Sequence, residues 1–461
     1  MSDYFDPHQP EQPRRDPNAL ARLSALDYVQ RRHPVPDGSP GLQFAVSIVL
    51  PGAPTMPRRP LLGLLLLIVG VALPGGLLYW AASEFDDIVA LALDPRFMGA
   101  VTIVGVAMVL TRFLGVAEVA HAFRHRAGMA LPTTLATLIV VALSLPVLWV
   151  ALQANEARGV FSSVFGGGGP AIYSPDGVGD PELTNVLLLG GDAGPGRWGL
   201  RTDTIILVSV HEPTGRTALV SIPRNLTRLR FPPGTPMAGE FPNGFTDLAN
   251  AVFPYVSTRD HLMAHYGRDG MQGEAVALAE GIGYSLGVEV DDYALVNMQG
   301  FADIIDAVGG VTLEVGSSIP LPPTLPGERP LPPTIGPGQV DMDGPLAIAY
   351  VRSRAADSDY ARMARQRQLL AALGSQVSPT DAIRGFTSVS GVLDDSLRTS
   401  LSAGEFSNLL DRLGNNSAIG ESIGLAPPLV QPGSPDYDQI RGILDAVERY
   451  VRTGEPSGYA A

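Results

Sequence analysis

The chain has 461 residues, more than one ordinary domain needs, and much of its 45% hydrophobic content lies in aliphatic runs within the first third. A formal net charge of -14 excludes a general nucleic-acid surface, which requires a basic face to displace counterions. With 0 Cys, neither a disulfide framework nor a thiolate zinc site is available, and the 32 basic residues are all arginine, in a composition typical of a GC-rich bacterial genome.

Met1 to about Gly41 is rich in Pro, Asp, Arg and Gln and has too few aliphatics to bury a core. Residues 1–59 are therefore expected to form a largely disordered cytoplasmic tail, without the order of a signal peptide. Three runs follow, Pro60 to Trp80, Phe97 to Val116 and Met129 to Leu152, each meeting the requirement of about 20 apolar residues for crossing a bilayer. Residues 60–152 are expected to hold three transmembrane helices. Arg112 interrupts the second run, and near a helix end its side chain can snorkel to the surface. Arg58 and Arg59 precede the first run, and Arg124 and Arg126 separate the second from the third. The other loop carries Glu84, Asp86, Asp87 and Asp94 against Arg96. Positive-inside asymmetry puts the N-terminus in the cytoplasm and, after three crossings, everything beyond Leu152 outside it.

Residues 153–184 read as a Gly/Ser/Pro linker, whose four consecutive glycines lack the Gly-Lys-Ser/Thr ending of a phosphate-binding loop. From Asn185 the pattern changes. Asn185 to Leu189, Thr204 to Val210 and Thr217 to Ile222 read as strands, and Glu274 to Gly287 as a helix stopped by its glycine. Asp291 to Val315 gives strand, amphipathic helix, Gly-Gly stop and strand. The alternation predicts an α/β sandwich around a mixed central sheet over 185–378. Ile319 to Gly338 is too proline-rich for a central element and reads as a surface loop. Helices are expected at about Gly344 to Val351 and Asp359 to Leu373, with another near Tyr437 to Val451 in a C-terminal extension, 379–461, packed on or near the domain.

The stretch "YVRSRAADSDYARMARQRQLL" places Arg352, Arg354, Arg362, Arg365 and Arg367 close together in an acidic chain. On a helix, Arg362 and Gln366 share a face at i and i+4. Planar, bidentate guanidinium suits a phosphate or pyrophosphate, whereas a solvated helix face is the bland alternative. Asp192 lies just after one strand and Asp203 just before the next, with Arg201 two residues earlier and Arg224 in "VSIPRN". Two carboxylates at adjacent strand ends can share one Mg²⁺, or can merely turn the chain; spacing does not separate the two. "GYSLG" satisfies Gly-x-Ser-x-Gly, but Ser285 falls at a helix end, where no nucleophile elbow forms. His261 and His265 stand at i and i+4 without an evident third metal ligand.

The motifs "NVLLLGGD", "RTDTIILVSV", "VSIPRN", "DYALVNMQGFADIIDAVGGVTLEV", "DGPLAIAYVRSR" and "DYARMARQRQ", in this order from Asn185 to about Leu373, resemble the LytR-CpsA-Psr family of cell-wall enzymes. The resemblance implies a membrane-anchored, extracytoplasmic transferase from an actinobacterial source. Its expected reaction moves a phosphate-linked glycan from a polyprenyl pyrophosphate carrier to peptidoglycan, with Mg²⁺ or Mn²⁺ as cofactor. It carries over Asp192 and Asp203 as metal-binding or catalytic carboxylates and Arg201 as a catalytic residue. Arg224, Arg352, Arg354, Arg362 and Gln366 match positions that hold the pyrophosphate. Arg365 and Arg367 belong to the motif region without an assigned role. Asn225 departs from the aspartate that many members carry after "IPR". A lipid-pyrophosphate hydrolase and a non-catalytic regulator or glycolipid-binding module are the rival expectations.

Overall fold

A computed structural model describes residues 39–84, 95–126, 128–165, 169–191, 202–267, 271–322, 329–353, 358–376, 396–402, 404–406, 408–409 and 419–460. The chain divides into two compact units, one of Met1–Trp80 with Ala100–Leu152 and the other of Ala81–Gly99 with Gln153–Ala461.

In the first unit, three apolar stretches, Pro60–Ser83, Arg96–Ala122 and Ala130–Asn155, are long enough to cross a membrane. The first comprises helices α2 (Pro60–Leu67) and α3 (Leu73–Glu84), joined by a π-helical turn at Ile68–Ala72. The others lie in α4 (Pro95–Ala122) and α5 (Ala130–Val164). One difference from expectation concerns the supposed tail: Pro40–Val49 forms a helix, α1, capped by the Ser39 hydroxyl. Its apolar face supplies Phe44 to a cluster with Val116, Val119, Phe123, Ala136 and Val140, which gives this segment a reason to order.

The second unit is built on a six-stranded mixed sheet in the order β10-β3-β2-β1-β4-β9. Its first strands are β1 (Leu183–Gly191), β2 (Thr202–His211) and β3 (Arg216–Ser221), joined antiparallel with Leu187 opposite Leu207. Short helices α6 (Pro236–Glu240), α7 (Val252–Ser257) and α8 (Asp260–Tyr266) lead to α9 (Gly273–Leu286), which Gly287 ends in a left-handed conformation at φ 69°. Strand β4 (Asp292–Asn297) then pairs parallel with β1. Helix α10 (Met298–Ala307) and β5 (Val311–Val315) follow as the sequence predicts, but β5 leaves the central sheet and pairs with β8 (Gly338–Met342). Between them the described ends of the proline-rich loop meet as a two-residue ladder of β6 (Ile319–Pro320) and β7 (Thr334–Ile335).

Helices α11 (Gly344–Arg352) and α12 (Asp359–Gln376) come next, then β9 (Leu397–Thr399), β10 (Ile419–Gly424) and α13 (Tyr437–Thr453). The part beyond 379 therefore supplies both edge strands of the sheet. The two-residue period of the strands divides their side chains between layers. Leu187, Leu189, Ile205, Leu207 and Val220 face a core completed by α9 and α13, including Ile282, Ile440 and Val447. Ile206, Val208, Val210 and Leu219 face the other way, toward Leu370 of α12. The sandwich and its mixed sheet are as expected from the sequence.

Candidate active site

The site forms where β2 begins. Gly190 of β1 lies opposite Thr204, and a Cβ on it would come within 2.8 Å of the Thr204 side chain, so only glycine permits this approach. Asp192 and Arg201, both expected here, lie outside the described residues, as does Arg354. Asp203 and Thr204 open the strand, and each is engaged from another element. Thr204 Oγ1 accepts a hydrogen bond from Gln366 Nε2 of α12 at 2.8 Å. Asp203 Oδ1 accepts from Arg224 Nη1 at 2.7 Å and from Asn250 Nδ2 at 3.3 Å.

Arg224 follows β3, and the segment around it pairs with the one around Asn250, whose N–H donates to the Arg224 carbonyl at 3.1 Å. Its Nε donates to Asp359 Oδ2 at 3.2 Å, so one guanidinium bridges two carboxylates. Desolvation pulls the Arg224 guanidinium down, but hydrogen bonding and charge from Asp203, then Asp359, more than offset it and leave it above its ordinary value.

Arg362 completes the ring. It donates from Nε to Asp359 Oδ1 at 3.0 Å, from Nη2 to Asp359 Oδ2 at 3.2 Å, and from Nη2 to the Asp203 carbonyl at 3.1 Å. Asp359 starts α12, and the i,i+3 spacing returns its carboxylate to Arg362. Arg224 and Arg362 face Asp203 and Asp359, two cations against two anions.

The arginines of α12 are not a solvated face. Arg362, Arg365 and Arg367 are 3%, 6% and 7% exposed. Arg365 donates to the Ser353 carbonyl at the end of α11. Arg367 Nε donates to Ser422 Oγ of β10 at 2.8 Å, and burial holds its guanidinium below the ordinary value. These two tie α12 to its neighbours. Arg352, at the last turn of α11, is exposed and has no hydrogen-bond or ion-pair partner among the described residues, which suits an incoming anion.

The structure thus brings together Asp203, Arg224, Arg362 and Gln366, and adds Asn250, Asp359 and Thr204, to which the sequence reading gave no role. A signal existed for Asn250, a polar residue in the otherwise apolar "LANAVF", and for Asp359, three residues before Arg362. The site's oxygens suit a hard cation. Asn250 is 2% exposed, and while its amide donates to Asp203, its Oδ1 has no partner; Asn225 Oδ1, next to Arg224, is likewise buried and unpartnered. One carboxylate with neutral amide oxygens is the donor chemistry of an ion that keeps several waters, such as Mg²⁺. Among the described residues no group of three or more His, Cys, Asp or Glu could hold a metal.

The two decoys have local partners. Ser285 is buried within α9, accepting from the Arg230 N–H at 2.7 Å and donating to the Arg230 carbonyl at 3.0 Å. His261 Nε2 lies 2.7 Å from Glu240 Oε1, and His265 meets the Tyr266 ring edge-on.

Part of the chain is similar in sequence to known proteins. The chain is 28% identical over 233 residues to the polyisoprenyl-teichoic acid–peptidoglycan teichoic acid transferase TagU of Oceanobacillus iheyensis, covering 50% of this chain and 63% of that protein. It is 32% identical over 217 residues to the probable cell wall biosynthesis protein LcpB of Corynebacterium glutamicum, covering 46% of this chain and 42% of the relative. The chain therefore spans under two thirds of the length of these relatives. The crystal structure of Bacillus subtilis TagV aligns with 59% of this chain and 99% of its own, at 20% identity and a TM-score of 0.42. The profile of the LytR_cpsA_psr family matches residues 176–422, which hold every residue of the site and all of the central sheet except the last two residues of β10, and the chain belongs to that family.

Proposed function

We propose that this membrane protein transfers a phosphate-linked glycan from a polyprenyl pyrophosphate carrier to peptidoglycan. The observation that carries the reading is Asp203, a carboxylate at the mouth of a strand, held by Arg224 and Asn250; Arg352 is exposed at the last turn of α11. The relatives' names, a polyisoprenyl-teichoic acid transferase and a cell wall biosynthesis protein, support the same substrate class.

In this mechanism Arg352, with Arg354 and Arg201, receives the pyrophosphate, and Arg224 turns from its carboxylates toward the phosphate oxygens. Arg362 and Gln366, both engaged with β2, keep Asp203 and Thr204 in place as positioning residues. The acceptor hydroxyl attacks the phosphorus that carries the glycan, the bond from that phosphorus to the bridging oxygen breaks, and polyprenyl phosphate leaves. The hydroxyl proton passes to the Asp203 carboxylate oxygen that a bound ion leaves free. Mg²⁺, or Mn²⁺ in its place, would supply charge neutralisation at the pyrophosphate, held by Asp203 and Asp192 with the amide oxygens of Asn250 and Asn225 at hand. The arginine distribution supports a cytoplasmic N-terminus and a catalytic unit outside the cytoplasm, and a reporter fused after Leu152 should be active only outside.

The deciding experiment supplies the purified protein with a glycan on polyprenyl pyrophosphate, with and without peptidoglycan. Release of polyprenyl phosphate should rise with acceptor, and the glycan phosphate should become linked to it. Acceptor-independent release would identify a hydrolase, and binding without release a glycolipid-binding module.

A further inference from the structure

Besides its three candidate spans, the first unit holds a shorter apolar helix, α1. Helix α1 has 10 residues and rises about 15 Å, half of what a crossing needs. The turn after it packs deep against the first span. A Cβ on Gly70 would lie 2.4 Å from Pro51 Cγ, and one on Gly63 would lie 2.7 Å from Met56. Gly70 is ten residues into the span that starts at Pro60, again about 15 Å along a helix. The chain then climbs back to Arg59, whose guanidinium pairs with Glu118 at 3.0 Å. Segment 40–59 therefore folds back on itself against the spans, and the π-helical turn Ile68–Ala72 lies where Pro51 packs on the first of them.

The inserted helix walls a groove of about 330 Å³ with Met108, Val109 and Arg112 of α4 and Leu143, Ser144 and Val147 of α5. Its two polar residues stand out. Arg112 lies six residues from Glu118, about 9 Å along α4 from that ion pair. Its Nη1 donates to the Met108 carbonyl at 3.0 Å, and no carboxylate pairs with it among the described residues. Other hydroxyls of this unit back-bond to their own helix: Ser47 to Phe44, Thr111 to Met108, Thr134 to Ala130 and Thr137 to Thr133. Ser144 is 6% exposed and its Oγ has no partner. Pro146, inside α5, denies the Ala142 carbonyl its helical donor and loosens the wall beside it.

We propose that this groove binds the head of a single-chain lipid monophosphate, with Arg112 and Ser144 donating to the phosphate and Ile48, Val49, Leu143 and Val147 contacting the chain. An uncompensated cation and an unsatisfied hydroxyl in hydrocarbon call for an anionic oxygen, because each costs free energy until paired. Beside the two polar groups the lining is apolar, with Ile48, Val49, Leu143 and Val147, and suits a hydrocarbon chain. This occupant rests on the proposed function, since a polyprenyl phosphate is the released carrier.

Native mass spectrometry of the full-length protein, titrated in detergent with undecaprenyl phosphate, undecaprenol or dioleoyl phosphatidic acid, tests it. We expect a one-to-one adduct with undecaprenyl phosphate, weakened at least tenfold in Arg112→Gln and severalfold in Ser144→Ala, and little adduct with the other two lipids. Ser144→Ala removes one oxygen from a hydroxyl without protein partners, so it reports on the groove even if Arg112→Gln fails to fold. Equal binding by the variants, or equal binding of undecaprenol or phosphatidic acid, overturns the proposal. Acceptor-dependent transfer is read in the same preparation. Loss of the adduct with transfer intact sinks the groove alone, whereas absence of transfer sinks the reading on which it rests.

Discussion

Asp359→Ala tests the ring around Asp203. The carboxylate accepts three hydrogen bonds, one from Arg224 and two from Arg362, and the Arg362 side chain is only 4% exposed. Removing one partner of a buried ion pair costs about 3–5 kcal/mol, because the other charge stays behind without compensation. Asp359 itself is 28% exposed, and Arg224 keeps Asp203, which places the loss near about 3 kcal/mol. For a unit of this size that corresponds to a melting temperature lower by roughly 4–5 °C.

Differential scanning calorimetry of the full-length protein reads the shift, and the transfer assay reads the consequence for Asp203, whose carbonyl and carboxylate Arg362 and Arg224 hold. Transfer should fall at least roughly tenfold, since small displacements of reacting groups carry large rate penalties. The double variant Asp359→Ala/Arg362→Met removes the stranded charge as well and should regain at least half of the lost stability, while transfer stays low. A single variant melting within about 1 °C of wild type, or a double variant no more stable than the single one, would refute the reasoning.

Burial, with the charges of Glu289 and Asp292 behind it, pushes the Asp291 carboxyl up to about 7. A folded value above the unfolded one means stability is fully present at low pH and is lost as pH rises through about 7. Asp291→Asn should flatten that slope in denaturant titrations between pH 5 and 8 and stabilise the protein at pH 8 by up to about 4 kcal/mol; an unchanged slope argues against a buried carboxylate there. Ser285→Ala should lower stability by about 1–3 kcal/mol through the two hydrogen bonds to Arg230, yet leave kcat unchanged. Loss of turnover in a normally folded Ser285→Ala protein would bring back the nucleophile reading. Chelation should abolish transfer and Mg²⁺ or Mn²⁺ restore it, with Asn250→Ala raising the Mg²⁺ concentration needed; full activity in excess chelator removes the ion from the mechanism.

Much of this molecule is legible in its sequence because it follows from local periodicity. Long apolar runs mark the three spans, alternation within "TIILVSV" marks β2, and Gly287 marks the end of α9. The separated motifs place Asp203, Arg224, Arg362 and Gln366 in one family domain.

What periodicity does not carry is the choice of partner among distant side chains. Helical spacing puts Arg362 on a face of α12, but only the packing of α12 on the sheet determines that it is buried between Asp359 and the Asp203 carbonyl. The role of Asn250 depends on its segment folding back beside Arg224, 26 positions earlier in the chain. Strand β5 looks like the next member of the central sheet, yet its ladder goes to β8, because hydrogen-bonding partners are selected by tertiary geometry and not by strand propensity. The segment 40–59 reads as a tail by composition and packs on the spans only because Gly63 and Gly70 leave room for it there.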